Sequence, residues 1–290
     1  MINQIIASSD FFLLQQQFLL WISHYRNTVL DMFFIALTFF GSEYFYMLLI
    51  PFLFGWLDRK TACIIISVTL LSLILNTVMK EIFSLPRPPV SLTLPIYQGL
   101  AQGYGFPSGH AQGSLTLWGL IAIWNKKRLW IVIGCVVFVL LMALSRLYLG
   151  VHYPIDIIGG WGFAALVLLL YISSRKLKFQ LPYWIFAVLF FVFAVSLPVL
   201  RIEKTCTVLS GIFFGMELGN KYNLEKFYEI NFLVRVTGII ITSGLLFIIH
   251  KLSHMPYIIS YVVIGFWVSF FYQAFMIIVV DKIKTGFAKS

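Results

Sequence analysis

Apolar runs long enough to cross a bilayer recur along this chain with short polar breaks between them, and that repetition limits what it can fold into. The run at 61–85 meets charge only at Lys80 and Glu81, and similar runs occupy 109–125, 129–149 and 155–172. A spanning helix takes roughly 20 such residues, so a chain of 290 residues has room for about eight to ten spans. Charge is correspondingly scarce. Asp, Glu, Lys and Arg make up 11% of the residues, against roughly 25% in a soluble domain, and mean hydropathy is +0.93. So little charge cannot cover the surface of a soluble domain, and it excludes a disordered chain, a coiled coil and a nucleic-acid binder. What remains is an all-α, polytopic membrane helix bundle.

Two shorter apolar stretches, 28–40 and 44–57, are broken by Gly41-Ser42-Glu43 and read as a hairpin of short or tilted spans. With the four long runs they make six apolar segments between 28 and 172. Segments at about 181–200, 205–219, 231–250 and 256–280 predict three to four further helices in an extension over 176–290. Among these, 205–219 carries Gly211, Gly215, Gly219 and Glu217, which suits a re-entrant piece or a polar path. In the N-terminal segment, 1–26, Phe11, Phe12, Leu14, Phe18, Leu19 and Ile22 mix with Gln15, Gln16, Gln17 and Ser23. That pattern fits an amphipathic helix in the membrane interface or a frayed terminus. Cys63, Cys135 and Cys206 form no CxxC, so neither a disulfide framework nor a metal knuckle is expected. The N-terminus has no basic region or small-residue cleavage site, so no cleaved signal peptide is expected.

Basic residues set the orientation. Of the eight Lys and Arg between 41 and 172, Arg59, Lys60, Lys126, Lys127 and Arg128 fall on one face of the bundle. By the positive-inside rule that face is cytoplasmic, and Lys282, Lys284 and Lys289 suit a cytoplasmic C-terminus. The other three, Lys80, Arg87 and Arg146, fall on the opposite face with His110, His152 and Asp156. One piece of sequence ends a span, the next (Pro107-Ser108-Gly109-His110) starts one, and the third joins two. All three meet at one membrane surface.

Three fixed cations at one place suit a phosphate, since an Arg fork matches its oxygens. Ser108 and Gly109 precede a helix, where backbone amides make an anion site. Two histidines can divide nucleophile and acid roles. Asp156, four residues after His152, can hold that ring and favour the tautomer whose other nitrogen attacks. No carboxylate or cysteine cluster accompanies the cations, so no metal or other cofactor is expected. Taken singly, Lys80 reads as a snorkelling helix-end residue, His110 as a cap, and Arg146 with Asp156 as an ion pair. Taken together, ionisable groups at membrane depth point to function.

The spacings Lys80-x6-Arg87-Pro88, Pro107-Ser108-Gly109-His110 and Ser145-Arg146-x5-His152-x3-Asp156 resemble the three-part signature of the type 2 phosphatidic acid phosphatase family, which shares its fold with vanadium haloperoxidases. The resemblance covers about 27–175 and implies the six-helix core of the family's integral-membrane branch. It implies that His152 becomes a phosphohistidine, that Asp156 is its charge partner, and that His110 protonates the leaving alkoxide and then activates water. Lys80, Arg87, Arg146, Ser108 and the Gly109 amide would bind the phosphoryl oxygens, with no metal.

The expected substrate is a lipid phosphate or diphosphate: phosphatidic acid, phosphatidylglycerophosphate, a prenyl diphosphate or a sphingoid-base phosphate. The expected location is a bacterial inner membrane, with the site facing the periplasm or exterior. A lipid-linked phosphotransferase, a sugar-phosphate phosphatase like the glucose-6-phosphatases, and a transporter or channel with a vestigial core are the alternatives. The stretch Leu94–Phe106, with Tyr97, Gln98, Gln102 and Tyr104, is placed to shape head-group access or to be an ordinary loop. Glu43 reads as a helix cap or a head-group contact, and the His250-x3-His254 pair as interfacial histidines rather than a zinc site.

Overall fold

The computed structural model describes residues 10–42, 57–99 and 102–177, with scattered positions between 45 and 53 and between 230 and 278. Glu43, Cys206, Glu217, His250, His254 and the basic C-terminus lie outside the described residues, as do most of the expected extension helices. The chain divides into two compact units, Met1–Tyr46 with Leu71–Phe179, and Met47–Leu70 with Gln180–Ser290. The first unit holds every residue of the cationic constellation.

Six helices are described in order: α1 (Asp10–Ser23), α2 (Thr28–Phe39), α3 (Arg59–Phe83), α4 (Gly109–Trp124), α5 (Leu129–Tyr148) and α6 (Pro154–Leu177). Two 3-10 turns, Val90–Leu92 and Pro95–Tyr97, lie in the connection between α3 and α4. No strand occurs among the described residues. The chain is a membrane protein with an all-helical fold. Lys60–Phe83, Leu129–Tyr148 and Pro154–Arg175 are long and apolar enough to cross a membrane. At 16 residues α4 is about 24 Å long, and α2 has 12 residues. Both fall short of the roughly 30 Å hydrocarbon core.

Local sequence explains where the helices begin. Asn27 caps α2, its side-chain oxygen accepting from the N–H groups of Val29 and Leu30. α4 opens at Gly109, after Pro107 and Ser108. α6 opens on Pro154, whose missing N–H is no loss at a first helical position. α5 is apolar all round, as a bilayer helix should be. It exposes Trp130, Ile133, Val137, Leu140 and Leu144 and buries Val139, Met142, Ser145 and Arg146.

The α5–α6 connection is tied down on several sides. Arg26 donates to the Tyr148 carbonyl (Nη2, 2.8 Å) and to the Leu92 carbonyl (2.7 Å). Leu94 N–H donates to the Leu149 carbonyl at 2.9 Å, and Thr93 Oγ1 to the Gly150 carbonyl at 3.1 Å. Tyr148 Oη donates to Asp31 Oδ1 of α2 at 2.6 Å.

The N-terminal helix packs one side against the start of α6. Gln15 is 8% exposed and accepts from Ile155 N–H at 2.9 Å. Gln16 donates to Tyr153 Oη at 3.2 Å, and Phe12 packs edge-on against the Tyr153 ring. The physical reason is the start of α6, whose first N–H groups need acceptors from outside the helix. The opposite face of α1, with Phe11, Leu14, Phe18 and Trp21, is exposed.

Gly150 is the tightest point of the connection. Its φ is +69°, and a Cβ there would overlap the Leu92 carbonyl oxygen and stand 2.9 Å from Arg26 Nη2. A Gly150→Ala change is expected to destabilise the folded protein by about 1–3 kcal/mol, read as a lower thermal midpoint in detergent. An unchanged midpoint would contradict the close approach.

Candidate active site

The eight residues singled out in the sequence come from four helices and two connections and converge. Lys80 sits in the last turn of α3, Arg87 in the following connection, Ser108 and Gly109 at the start of α4 with His110 in its first turn, Arg146 in the last turn of α5, His152 in the α5–α6 connection, and Asp156 in the first turn of α6. His152, Asp156 and Ser108 are all but fully buried, and Arg146 and Lys80 are buried. Arg87 and His110 are half-buried.

His152 is held from both sides. Its Nδ1 lies 3.0 Å from Asp156 Oδ2. Its Nε2 lies 3.2 Å from Arg87 Nη1. A guanidinium only donates, so Nε2 is the acceptor and carries the lone pair. Nδ1 then carries the proton and donates it to the carboxylate. The same oxygen of Asp156 also accepts from Tyr153 N–H at 2.9 Å, which fixes the carboxylate against the ring. Asp156 is thus partnered by His152, not paired with Arg146. Burial first, and then the charges of Arg87, Lys80 and Arg146, push the His152 imidazole well below its ordinary range. His110 also contributes to its electrostatic surroundings.

Backbone carbonyls hold the cations. Lys80 Nζ donates to Tyr104 O at 2.6 Å and Gly105 O at 3.2 Å, so it is turned inward and does not snorkel. Arg87 Nε donates to Gln102 O at 3.1 Å and Gly103 O at 3.2 Å, and its Nη1 to Val151 O at 3.0 Å. The stretch 102–105 therefore supplies carbonyl acceptors to two of the three cations. Arg146 reaches across to α2, where its Nη1 donates to Thr38 Oγ1.

Two buried donors of the constellation meet no protein acceptor among the described residues, Ser108 Oγ and Arg146 Nε. Leaving a buried donor unmatched costs about 1–3 kcal/mol, so such groups call for an explanation in terms of what they bind. Ser108 stands at the N-cap position of α4 yet makes no capping bond with its side chain.

Several supporting residues went unmarked in the sequence reading. Asn76 donates to Pro107 O at 3.1 Å and to Gln112 Oε1 at 2.9 Å, and Gln112 Nε2 donates to Ser72 O at 2.7 Å. This buried chain ties the Pro107-Ser108-Gly109 turn to α3. The available signal was the presence of amide side chains inside apolar runs, where polar groups must find partners.

Comparison with known proteins fits this geometry. The model of the PAP2 superfamily matches residues 61–180. Undecaprenyl-diphosphatase BcrC of Bacillus subtilis is 31% identical over 140 residues, covering 48% of this chain and 70% of that protein. Human sphingosine-1-phosphate phosphatase 2 is 31% identical over 135 residues, covering 45% of this chain and 34% of that protein. The chain thus spans about a third of the length of the sphingosine-1-phosphate phosphatase 2 proteins it matches. In fold it is similar to the crystal structure of a transmembrane PAP2-type phosphatidylglycerolphosphate phosphatase from Bacillus subtilis. The TM-score is 0.52 at 22% identity, covering 62% of this chain and 92% of that one. With its three motifs gathered at one place and its sequence matched in this way, the chain belongs to the PAP2 superfamily.

Proposed function

We propose that this protein is a lipid phosphate or lipid diphosphate phosphatase that works through a phosphohistidine on His152. The observation that carries the reading is the tautomer of His152. Nδ1–H donates to Asp156 and Arg87 faces Nε2, so an imidazole lone pair is held among three cations. A phosphoryl group placed there meets its nucleophile and its charge stabilisers together.

In the first step the Nε2 lone pair attacks phosphorus and the P–O bond to the lipid oxygen breaks. His110 gives its proton to that leaving oxygen. Asp156 stabilises the charge that develops on the His152 ring as the P–N bond forms. In the second step His110, now neutral, takes a proton from water. The oxygen attacks phosphorus, the P–N bond breaks, and inorganic phosphate leaves with the lone pair restored to Nε2. Lys80, Arg87, Arg146, Ser108 Oγ and the Gly109 N–H hold the equatorial oxygens. The two unmatched donors, Ser108 Oγ and Arg146 Nε, support this assignment. No step calls for a metal.

A lipid substrate follows from where the site lies. The constellation sits at the ends of apolar helices, where a head group can reach the cations while its chains stay in the bilayer. The named activities of the relatives, on sphingosine-1-phosphate and undecaprenyl diphosphate, both concern a phosphate on a long lipid. By the positive-inside distribution the site faces away from the cytoplasm, the periplasmic or outer side of a bacterial inner membrane.

Purified protein is expected to release phosphate from a lipid phosphate or diphosphate in EDTA, with inhibition by vanadate. His152→Ala should lower the rate by at least about 10⁴-fold, as removal of a covalent nucleophile does; a fully active variant would end the proposal. Acceptor alcohols in the same assay separate hydrolysis from phosphotransfer, and a panel of lipid and sugar phosphates separates the substrate classes.

The lowered His152 titration has its own consequence. A group whose range is depressed stays neutral, and so nucleophilic, as pH falls through the ordinary imidazole value of about 6.5. ¹⁵N-histidine spectra in detergent, assigned with His152→Ala, should show the ring still neutral at pH 6.5. A ring already protonated there would contradict the electrostatic picture.

Orientation is read separately. Gln98 is exposed, and a cysteine placed there, with the native cysteines replaced, should be labelled from outside intact cells. Labelling only after permeabilisation would put the site in the cytoplasm.

A further inference from the structure

The C-terminal turn of α2 meets two of the site's groups, although α2 lies outside residues 61–180 matched by the superfamily model. Thr38 contributes twice. Its hydroxyl accepts from Arg146 Nη1, and its backbone carbonyl is close enough to the His110 imidazole to bear on it electrostatically. Thr38 is 4% exposed, so both contacts are shielded from water. Three residues on, Gly41 lies against the same imidazole. A Cβ there would overlap His110 Cδ2 and stand 2.9 Å from its Cγ. Gly41 N–H donates to the Thr38 carbonyl at 3.1 Å, which ties the two halves of the seat together.

Physical chemistry gives this turn a purpose. The last carbonyls of a helix lack partners within it and carry the negative end of its dipole. The Thr38 carbonyl at that end is turned toward His110, and the Thr38 hydroxyl toward Arg146. An acceptor on one ring nitrogen of His110 also fixes which nitrogen carries the second proton and where the ring points. A general acid depends on that direction more than on its mere presence.

We propose that Thr38 and Gly41 are positioning residues: Thr38 orients Arg146 and His110 toward the phosphoryl group, and Gly41 leaves the clearance that lets the His110 ring occupy its seat. This inference rests on the phosphatase reading above. It extends the functional unit from α3–α6 to α2. Thr38 acts on binding through Arg146, and Gly41 acts on proton transfer through His110.

The two effects are separable. Gly41→Ala should lower kcat by about 10²-fold, the scale of a small misplacement of a catalytic group, with little change in KM. In a His110→Ala background the same change should do almost nothing, because the ring it strikes is gone. Thr38→Val, which keeps the branched shape and removes the hydroxyl, should weaken competitive inhibition by inorganic phosphate by about ten-fold, the scale of one hydrogen bond to a charged group. Thr38→Ser should recover it.

¹⁵N-histidine spectra of His110, assigned with His110→Ala, report the ring without any turnover. They should move in Gly41→Ala. If wild-type protein hydrolyses no lipid phosphate, the phosphatase reading falls and these spectra still decide the seat. An equal loss of kcat from Gly41→Ala with and without the His110 ring would overturn the inference. So would an unmoved His110 spectrum, or a Thr38→Val variant that binds phosphate like the wild type.

Discussion

The bond between Asp156 and His152 is the constraint on which the rest of the site depends. A carboxylate held by Tyr153 N–H faces Nδ1 at 3.0 Å and leaves Nε2 as the ring's acceptor. Everything around that pair serves to keep it in place. Ser108 N–H donates to the Asp156 carbonyl at 2.9 Å, which joins the start of α4 to the start of α6. Arg26, Thr93 and Leu94 fasten the connection from the other side, and Gln15 supplies an acceptor to the first turn of α6.

Three cations at the end of a membrane bundle raise a second problem, since buried like charges repel and lose hydration. Here peptide carbonyls carry much of the compensation. The 102–105 carbonyls accept from Lys80 and Arg87 and the Val151 carbonyl from Arg87, while Arg146 donates to the Thr38 hydroxyl. Carbonyl dipoles hold a cation without cancelling its charge, as a paired carboxylate would. The constellation therefore keeps its positive field for an anion.

What was legible beforehand divides along a physical line. The helix bundle showed in the apolar runs, because the bilayer allows few alternatives. The eight constellation residues showed because charge is rare in this chain, so Lys80, Arg87 and Arg146 stood out against an apolar background. Thr38, Asn76, Gln112 and Gln15 did not stand out. Their roles come from long-range contacts, 108 residues apart for Thr38 and Arg146 and 140 for Gln15 and Ile155. Neutral polar residues have no periodic or charge signature to mark such a contact.

The most direct test of the central claim is to trap the covalent intermediate. Protein mixed briefly with lipid phosphate labelled at phosphorus, quenched in alkali and mapped by peptide mass spectrometry should carry the phosphoryl group on His152. Label on any other residue, or turnover with none trapped and inversion at phosphorus, would contradict the account.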